Sequence, residues 1–375
     1  MKVLVTGAGG FVGRNLRQAL AERSSVELVA FEVDNQLSEL PAMLDGVDFV
    51  FHLAGVNRPQ DPAEFDTGNR DLTKALCEAL CRQIDAGGRK VPVVLTSSIQ
   101  AARDNPYGQS KLGAEHAVFS AAASHGFAAH VFRLPNVFGK WCRPNYNSAV
   151  ATFCHNIARG LPIEVRDPAA SLTLVYIDDL VSRFMQLLDG ADDAVDADGF
   201  SVVAPQYTTT VGEVANLIQR FRQSRESLVT ERVGSGLVRA LYSTYVSALP
   251  FEEFKYAVPS HADPRGVFVE MLRTPDSGQF SYFTAHPGIT RGGHYHHSKT
   301  EKFLVIKGQA RFGFRHIQTG ERRELLTRGE QPEIVETVPG WTHDITNIGD
   351  EEMVVMLWAN ELFDRNRPDT FACPV

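Results

Sequence analysis

The run Lys2-Val3-Leu4-Val5-Thr6, followed at once by Gly7-Ala8-Gly9-Gly10-Phe11-Val12-Gly13, constrains this chain more than any other stretch. A short apolar run bounded by glycine reads as a strand buried on both faces. The residues after it, from about Phe11 to Leu20, read as a helix. Glycines at 7, 10 and 13 let the backbone turn sharply and approach a pyrophosphate, which meets the free N–H groups and positive end of that helix. A glycine turn that binds nothing is the plain alternative, but its place directly after a strand favours the phosphate loop. The expectation is a doubly wound parallel α/β sheet of Rossmann type. An acidic side chain about 20 residues further on should hold the adenosine ribose. Glu32 and Asp34, at the end of a strand read over residues 26–33, both qualify, and Asp34 is taken as the contact.

Tyr107-Gly108-Gln109-Ser110-Lys111 adds chemistry. Tyr107 and Lys111 lie four apart at the start of a helix and so share a face. A free phenol has a pKa of about 10, and a neighbouring ammonium is expected to lower it. The phenol then gives its proton to a carbonyl oxygen while hydride reaches the carbon. A strand read over residues 91–95 ends in Thr96-Ser97-Ser98. Ser98 is placed to hold the same oxygen, with Ser97 as the alternative. Many Tyr-x-x-x-Lys spacings are only surface helix pairs. The serine-ending strand and the glycine loop together argue for catalysis.

These motifs resemble the extended short-chain dehydrogenase/reductases, over residues 1 to about 250. His52-Leu53-Ala54-Gly55 is similar to that family's strand-end motif, and Asn69 stands where the family has a helix asparagine. Leu134-Pro135-Asn136-Val137-Phe138-Gly139 is similar to the segment that runs from nicotinamide to nucleotide sugar, and Tyr176-Ile177-Asp178-Asp179 to a late structural motif. The resemblance implies a nicotinamide coenzyme on Gly7, Gly10, Phe11, Val12, Gly13, Asp34, Leu53, Ala54, Gly55, Tyr107 and Lys111. NADPH is the family habit, with Arg14 or Arg58 to meet a 2′-phosphate; Asp34 argues for NADH. Asn136, Arg143 and Asn147 are implied for the nucleotide sugar.

The 375 residues hold enough apolar material for two cores. A net charge of −8 without a basic patch speaks against nucleic acid. No apolar run is long enough to span a membrane. The chain enters a strand at Lys2, so no signal peptide is expected. Five cysteines, an odd number without a C-x-x-C, suit free thiols in the cytoplasm. Cys77 and Cys81 share a helical face and read as packing. Strand–helix alternation runs to about residue 220 and a helical stretch covers 222–250. From Phe251 short strands and turns take over. Two domains are therefore expected, 1–250 and an all-β domain over 251–375.

The second domain has its own constellation. His294 and His296 stand two apart on a strand, Glu301 and Gly308 follow, and His343 comes later after Pro339-Gly340. This H-x-H-x4-E-x6-G spacing resembles the cupins, jelly-roll barrels, although Pro339 and Gly340 are adjacent where that family separates them. Three imidazoles and a carboxylate suit a divalent metal, zinc above all. Arg291-Gly292-Gly293-His294-Tyr295 also resembles metal-free sugar-nucleotide 3,5-epimerases, in which the histidine matching His294 is the base. His297 reads as a solvated turn residue.

A short-chain reductase followed by a cupin is similar, over essentially the whole chain, to the bifunctional enzymes of the UDP-N-acetyl-L-fucosamine pathway. Gly139 to Ser148 and Tyr242-Ser243-Thr244-Tyr245 are especially close. That resemblance implies a UDP-sugar substrate, C3 epimerisation of a 2-acetamido-2,6-dideoxy-hex-4-ulose in the cupin, and reduction of its C4 ketone to the L-talose product. It also implies a cytoplasmic homodimer. Lys302, His297, Tyr282 and Asp344 are all conceivable epimerase bases. Two other readings stand beside it: a single-activity reductase or dehydratase with a structural cupin, and a non-catalytic nucleotide sensor. The intact Tyr107/Lys111 pair weighs against the sensor.

Overall fold

The computed structural model describes all 375 residues except Lys255, Ser298, Phe363, Arg367 and Pro368. It divides into two compact units: Met1–Ile218 with Ala240–Leu249, and Gln219–Arg239 with Pro250–Val375.

In the first unit, β1 (Lys2–Thr6), β2 (Glu27–Phe31), β3 (Phe49–His52), β4 (Val93–Ser98) and β5 (Ala129–Leu134) form a parallel sheet in the order β2-β1-β3-β4-β5. Val3, Leu4, Val5, Val50, Val93 and Val94 are fully buried, as strands covered by helices on both faces require. Leu76, Ala79 and Leu80, spaced along the helix Leu72–Asp85, pack with Leu4, Val50 and Val93 into one core. The strand order reverses direction between β1 and β3, which opens a crevice at their carboxyl ends. A smaller sheet pairs β6 (Asn136–Phe138) parallel to β7 (Ser171–Tyr176), and β7 antiparallel to β8 (Tyr207–Thr210).

Two strand limits differ from the sequence expectation. β2 stops at Phe31 because the Glu32 N–H donates to the Asn35 Oδ1, 2.8 Å away, and turns the chain. β4 runs on to Ser98 because its pairing with β5 continues to Ser98 opposite Leu134. The helical stretch after residue 210 is two helices, Val211–Ser227 and Gly236–Ser247.

In the second unit, β9 (Ser260–Asp263), β10 (Gly266–Arg273), β11 (Gln279–Ala285), β12 (Thr290–Tyr295), β13 (Glu301–Lys307), β14 (Gln309–His316), β15 (Arg322–Arg328), β16 (Ile334–Glu336), β17 (Trp341–Asn347), β18 (Met353–Ala359) and β19 (Phe371–Ala372) follow in turn. They form two antiparallel sheets, β16-β13-β18-β11-β10-β9 and β15-β14-β17-β12-β19. Phe283, Phe303, Val305, Phe312, Ile345 and Val355 fill one shared core. A Rossmann-type α/β sheet followed by an all-β jelly roll is the architecture that the sequence led us to expect. Among the described residues, no helix is long and apolar enough to cross a membrane.

Candidate functional site

The crevice in the first unit is built by backbone. Gly7 has φ 67°, and a Cβ there would stand 2.7 Å from Ala54 Cα. A Cβ on Gly13 would stand 2.2 Å from the Gly7 carbonyl oxygen, so neither position admits a larger residue. The Gly10 N–H donates to the Gly7 oxygen at 3.0 Å and closes the turn. The helix Phe11–Ala21 then starts with no side-chain cap, its first N–H groups facing the crevice. Of the two acids, Glu32 lies against the loop, its Oε2 3.3 Å from a Cβ built on Gly9. Asp34 is exposed in the following turn.

The cleft has a volume of about 740 Å³ and brings together Gly10, Phe11, Val12, Leu53, Gly55, Ser98, Tyr107, Lys111, Asn136, Arg143 and Asn147. Gly7, Gly13 and Ala54 stand behind it in the loop packing. The helix Pro106–His125 carries Tyr107 and Lys111; Asn105 caps it by accepting from Gly108 N–H, and Gly126 at φ 71° ends it. Ser98 lines the same cleft beside the Tyr107 phenol, whose pKa it draws down. Ser97 turns the other way and donates to Glu115, which Arg133 grips through Nε at 3.0 Å and Nη2 at 2.7 Å. The geometry thus sets Ser98, not Ser97, beside the phenol.

Lys111 is fully enclosed, and its Nζ donates to the Thr96 carbonyl at 3.0 Å. Burial pulls its pKa down to about 8, against the pull of Glu115 one turn further along. For Tyr107 the outcome differs from the expected lowering: burial raises the phenol pKa, and Ser98 only partly offsets it. The neutral phenol is the form that gives up a proton. Asn69 sits in a π-helical turn, Asp66–Asp71, a geometry often found at functional sites. Its amide donates to Val56 O at 2.9 Å and to Ser110 Oγ at 3.0 Å, and its Oδ1 accepts from Val56 N–H at 3.0 Å. Asn69 so ties the Gly55–Val56 segment after β3 to the helix that carries Tyr107 and Lys111.

Trp141 and Asn145 hold positive φ of 68° and 53° in the Gly139–Ser148 loop, a strain expected of functional loops. Arg143 stacks 4.9 Å from the Tyr146 ring, with Arg58 at 5.8 Å. Arg14 donates to Trp141 O at 2.7 Å, which anchors this loop on the helix Phe11–Ala21. The Glu115–Arg133 pair was not singled out from sequence, and of the two acids that qualified there, Glu32 rather than Asp34 lies against the loop.

In the second unit His294, His296, Glu301 and His343 offer donor atoms that all lie within 4.8 Å of one another. β12 and β17 set His294 directly opposite His343, and β13 brings Glu301 from the other sheet. The rings of His294 and His296 have centroids 4.9 Å apart, and those of His294 and His343 4.7 Å. His343 Nε2 lies 3.4 Å from Glu301 Oε2 and neither ring nitrogen makes a well-formed hydrogen bond, so one is left for a metal to engage. Burial and the neighbouring His343 hold His294 down to about 4, so its ring is neutral at neutral pH and offers one nitrogen lone pair. Burial opposes ionisation of Glu301, but His296, His343 and Lys299 outweigh it and keep the carboxyl well below its ordinary value. Lys299, whose Nζ is 3.3 Å from Glu301 Oε1, had no sequence signal.

A cavity of about 140 Å³ adjoins the cluster, lined by His294, Glu301, His343, Arg291 and Asp344 among phenylalanines. Of the four conceivable bases only Asp344 touches it, and the Asp344 carboxylate turns away to Arg311 Nη2, 3.4 Å off, on the face of β17 opposite His343. Lys302 pairs with Glu336, His297 is exposed beside Phe371, and Tyr282 is partly exposed. His297 is thus found outside the cluster.

Residues 3–202 match the NAD dependent epimerase/dehydratase family, and residues 261–371 match the polysaccharide biosynthesis C-terminal domain. The whole chain is 62% identical to a UDP-2-acetamido-2,6-beta-L-arabino-hexul-4-ose reductase of Pseudomonas aeruginosa, the match covering 100% of this chain and 99% of that relative. It is similar throughout to the crystal structure of the capsular polysaccharide assembling protein CapF from Staphylococcus aureus, with a TM-score of 0.91, 40% identity and full coverage of both chains. A UDP-glucuronic acid 4-epimerase from Bacillus cereus in complex with NAD shares the fold over 66% of this chain and 96% of its own, with a TM-score of 0.55 and 19% identity.

Proposed function

The chain belongs to the NAD-dependent epimerase/dehydratase family, and from that premise we propose that it makes a UDP-6-deoxy-L-hexosamine in two steps. The cupin unit inverts C3 of UDP-2-acetamido-2,6-dideoxy-β-L-arabino-hex-4-ulose, and the first unit reduces the C4 ketone to the L-talose product. The observation that carries the reading is the meeting of Ser98, Tyr107 and buried Lys111 in one cleft walled by the glycine loop. The full-length reductase relative supports the substrate class.

In the cleft, a bound NAD(P)H supplies the hydride. Ser98 and Tyr107 hold the C4 oxygen, and the phenol gives it a proton. Lys111 stabilises the phenolate left behind. Arg143, Asn136 and Asn147 take the UDP-sugar. In the cupin, C3 is acidified by the adjacent C4 ketone. His294, His296, Glu301 and His343 would hold one divalent metal, zinc first, which supplies Lewis-acid polarisation. The reading includes a homodimer in the cytoplasm, checked by light scattering. Incubation with the UDP-4-keto sugar and NADPH or NADH, followed by mass spectrometry and NMR of the product, tests it. Recovery of unreduced substrate with intact coenzyme would refute the reductase.

A further inference from the structure

The last residues of the chain fold back onto the histidine cluster. β19 pairs with β12, setting Ala372 opposite His294 and Phe371 opposite Tyr295. Cys373 N–H donates to Gly293 O at 2.8 Å, and Arg315 Nη2 donates to Pro374 O. Phe371 stacks on Tyr295, centroids 5.3 Å apart, and meets the His297 ring edge-on at 4.9 Å.

Asp369 makes the most informative contacts. Its main-chain oxygen lies 2.6 Å from His296 Nδ1. A carbonyl oxygen only accepts, so Nδ1 carries a proton, and Nε2, 3.2 Å from Glu301 Oε2, is the nitrogen turned to the cluster that would ligate the metal. The Asp369 carboxylate accepts from the N–H of His297 at 3.0 Å and of Lys299 at 2.8 Å. Those two residues lie on the chain between His296 and Glu301. One residue therefore fixes the ring of one ligand and the backbone path to the next. It does so from φ 38°, a conformation that aspartate tolerates better than most residues.

We propose that the C-terminal segment from Asp369 onward is a strap that positions the cluster for its metal, with Asp369 as the positioning residue. The proposal rests on reading His294, His296, Glu301 and His343 as a metal centre. Outer partners of ligand imidazoles fix ring orientation, and their loss typically costs about 10–100-fold in metal affinity.

The test is zinc affinity of the full-length protein, measured by competition with a chromophoric chelator on chelator-stripped samples. Asp369→Ala, which keeps the main-chain acceptor of His296 but loses the carboxylate, should bind zinc about 10-fold more weakly than the wild type, the low end of that range. Asp369→Asn, which keeps one acceptor oxygen, should fall between them, and it preserves the test if the alanine variant does not fold. Truncation after residue 368 should weaken binding most, since it also removes the acceptor for His296. Thr284→Val is the control: it loses the 2.9 Å bond to Val267 N–H elsewhere in the barrel, so it should lower thermal stability and leave zinc affinity unchanged. Wild-type affinity in both Asp369 variants, or an equal loss in Thr284→Val, would overturn the strap. A wild-type protein that takes up no zinc would overturn the metal reading itself, a distinct outcome visible before any variant is compared.

Discussion

The two sites of this chain are built by opposite means. The cleft of the first unit is wide, and its anion-facing wall is glycine backbone and a helix start. The cupin cavity is about 140 Å³ against about 740 Å³ for the cleft, and its working surface is side chains. A backbone site depends on what is absent: a Cβ at Gly7 or Gly13 would collide with main chain. A side-chain site depends on neighbours that orient each donor, as the Asp369 carbonyl orients His296. The first kind tolerates no bulk and the second tolerates no missing partner.

Reduction and C3 exchange should therefore fail independently. Tyr107→Phe removes the proton donor and should slow reduction by about 10²–10⁴-fold, followed as NAD(P)H oxidation, while coenzyme affinity holds. Near-normal turnover would take Tyr107 out of the mechanism. His343→Ala should empty the cupin of metal, read by elemental analysis of unchelated protein, and leave coenzyme binding in the first unit untouched. Loss of both would break the division.

A subtler prediction concerns the Glu115–Arg133 pair. Glu115→Ala strands Arg133 and removes the acceptor of Ser97, which should cost about 3–5 kcal/mol in denaturant unfolding. A change under 1 kcal/mol would mean that the charge is relieved by water. The pH profile follows from Lys111. Its ammonium is lost as pH rises through about 8, whereas the Tyr107 phenol is raised and stays protonated through neutrality. Reduction should be flat from neutral pH up to about 8 and fall above it; a rising alkaline limb would contradict this assignment. The smallest effect is on coenzyme choice. Glu32→Gln removes the carboxylate beside Gly9 and should shift the ratio of catalytic efficiencies toward NADPH. An unchanged ratio with a shift in Asp34→Asn would return the role to Asp34.

The same contrast explains what was legible in the sequence. Glycine spacing announces a backbone site directly, because only glycine fits, and so the loop, the fold class and the Tyr107/Lys111 face could be read. The His294, His296, Glu301 and His343 set was readable because strand alternation and pairing keep its spacing fixed. Three things were hidden. Asp369 lies 73 residues from His296, and a carbonyl acceptor leaves no mark in residue type. Ser97 and Ser98 were indistinguishable until the strand's alternation was anchored to Glu115 on one side and Tyr107 on the other. The pKa direction of Tyr107 turned on burial, which the short spacing to Lys111 does not report.

The division of labour is tested most directly by proton NMR of the UDP-4-keto sugar in deuterated buffer, without coenzyme, using Tyr107→Phe and His343→Ala side by side. Our account has the C3 proton signal disappear with Tyr107→Phe at the wild-type rate and persist with His343→Ala. Persistence with Tyr107→Phe, or disappearance at the wild-type rate with His343→Ala, would contradict the assignment of epimerisation to the cupin.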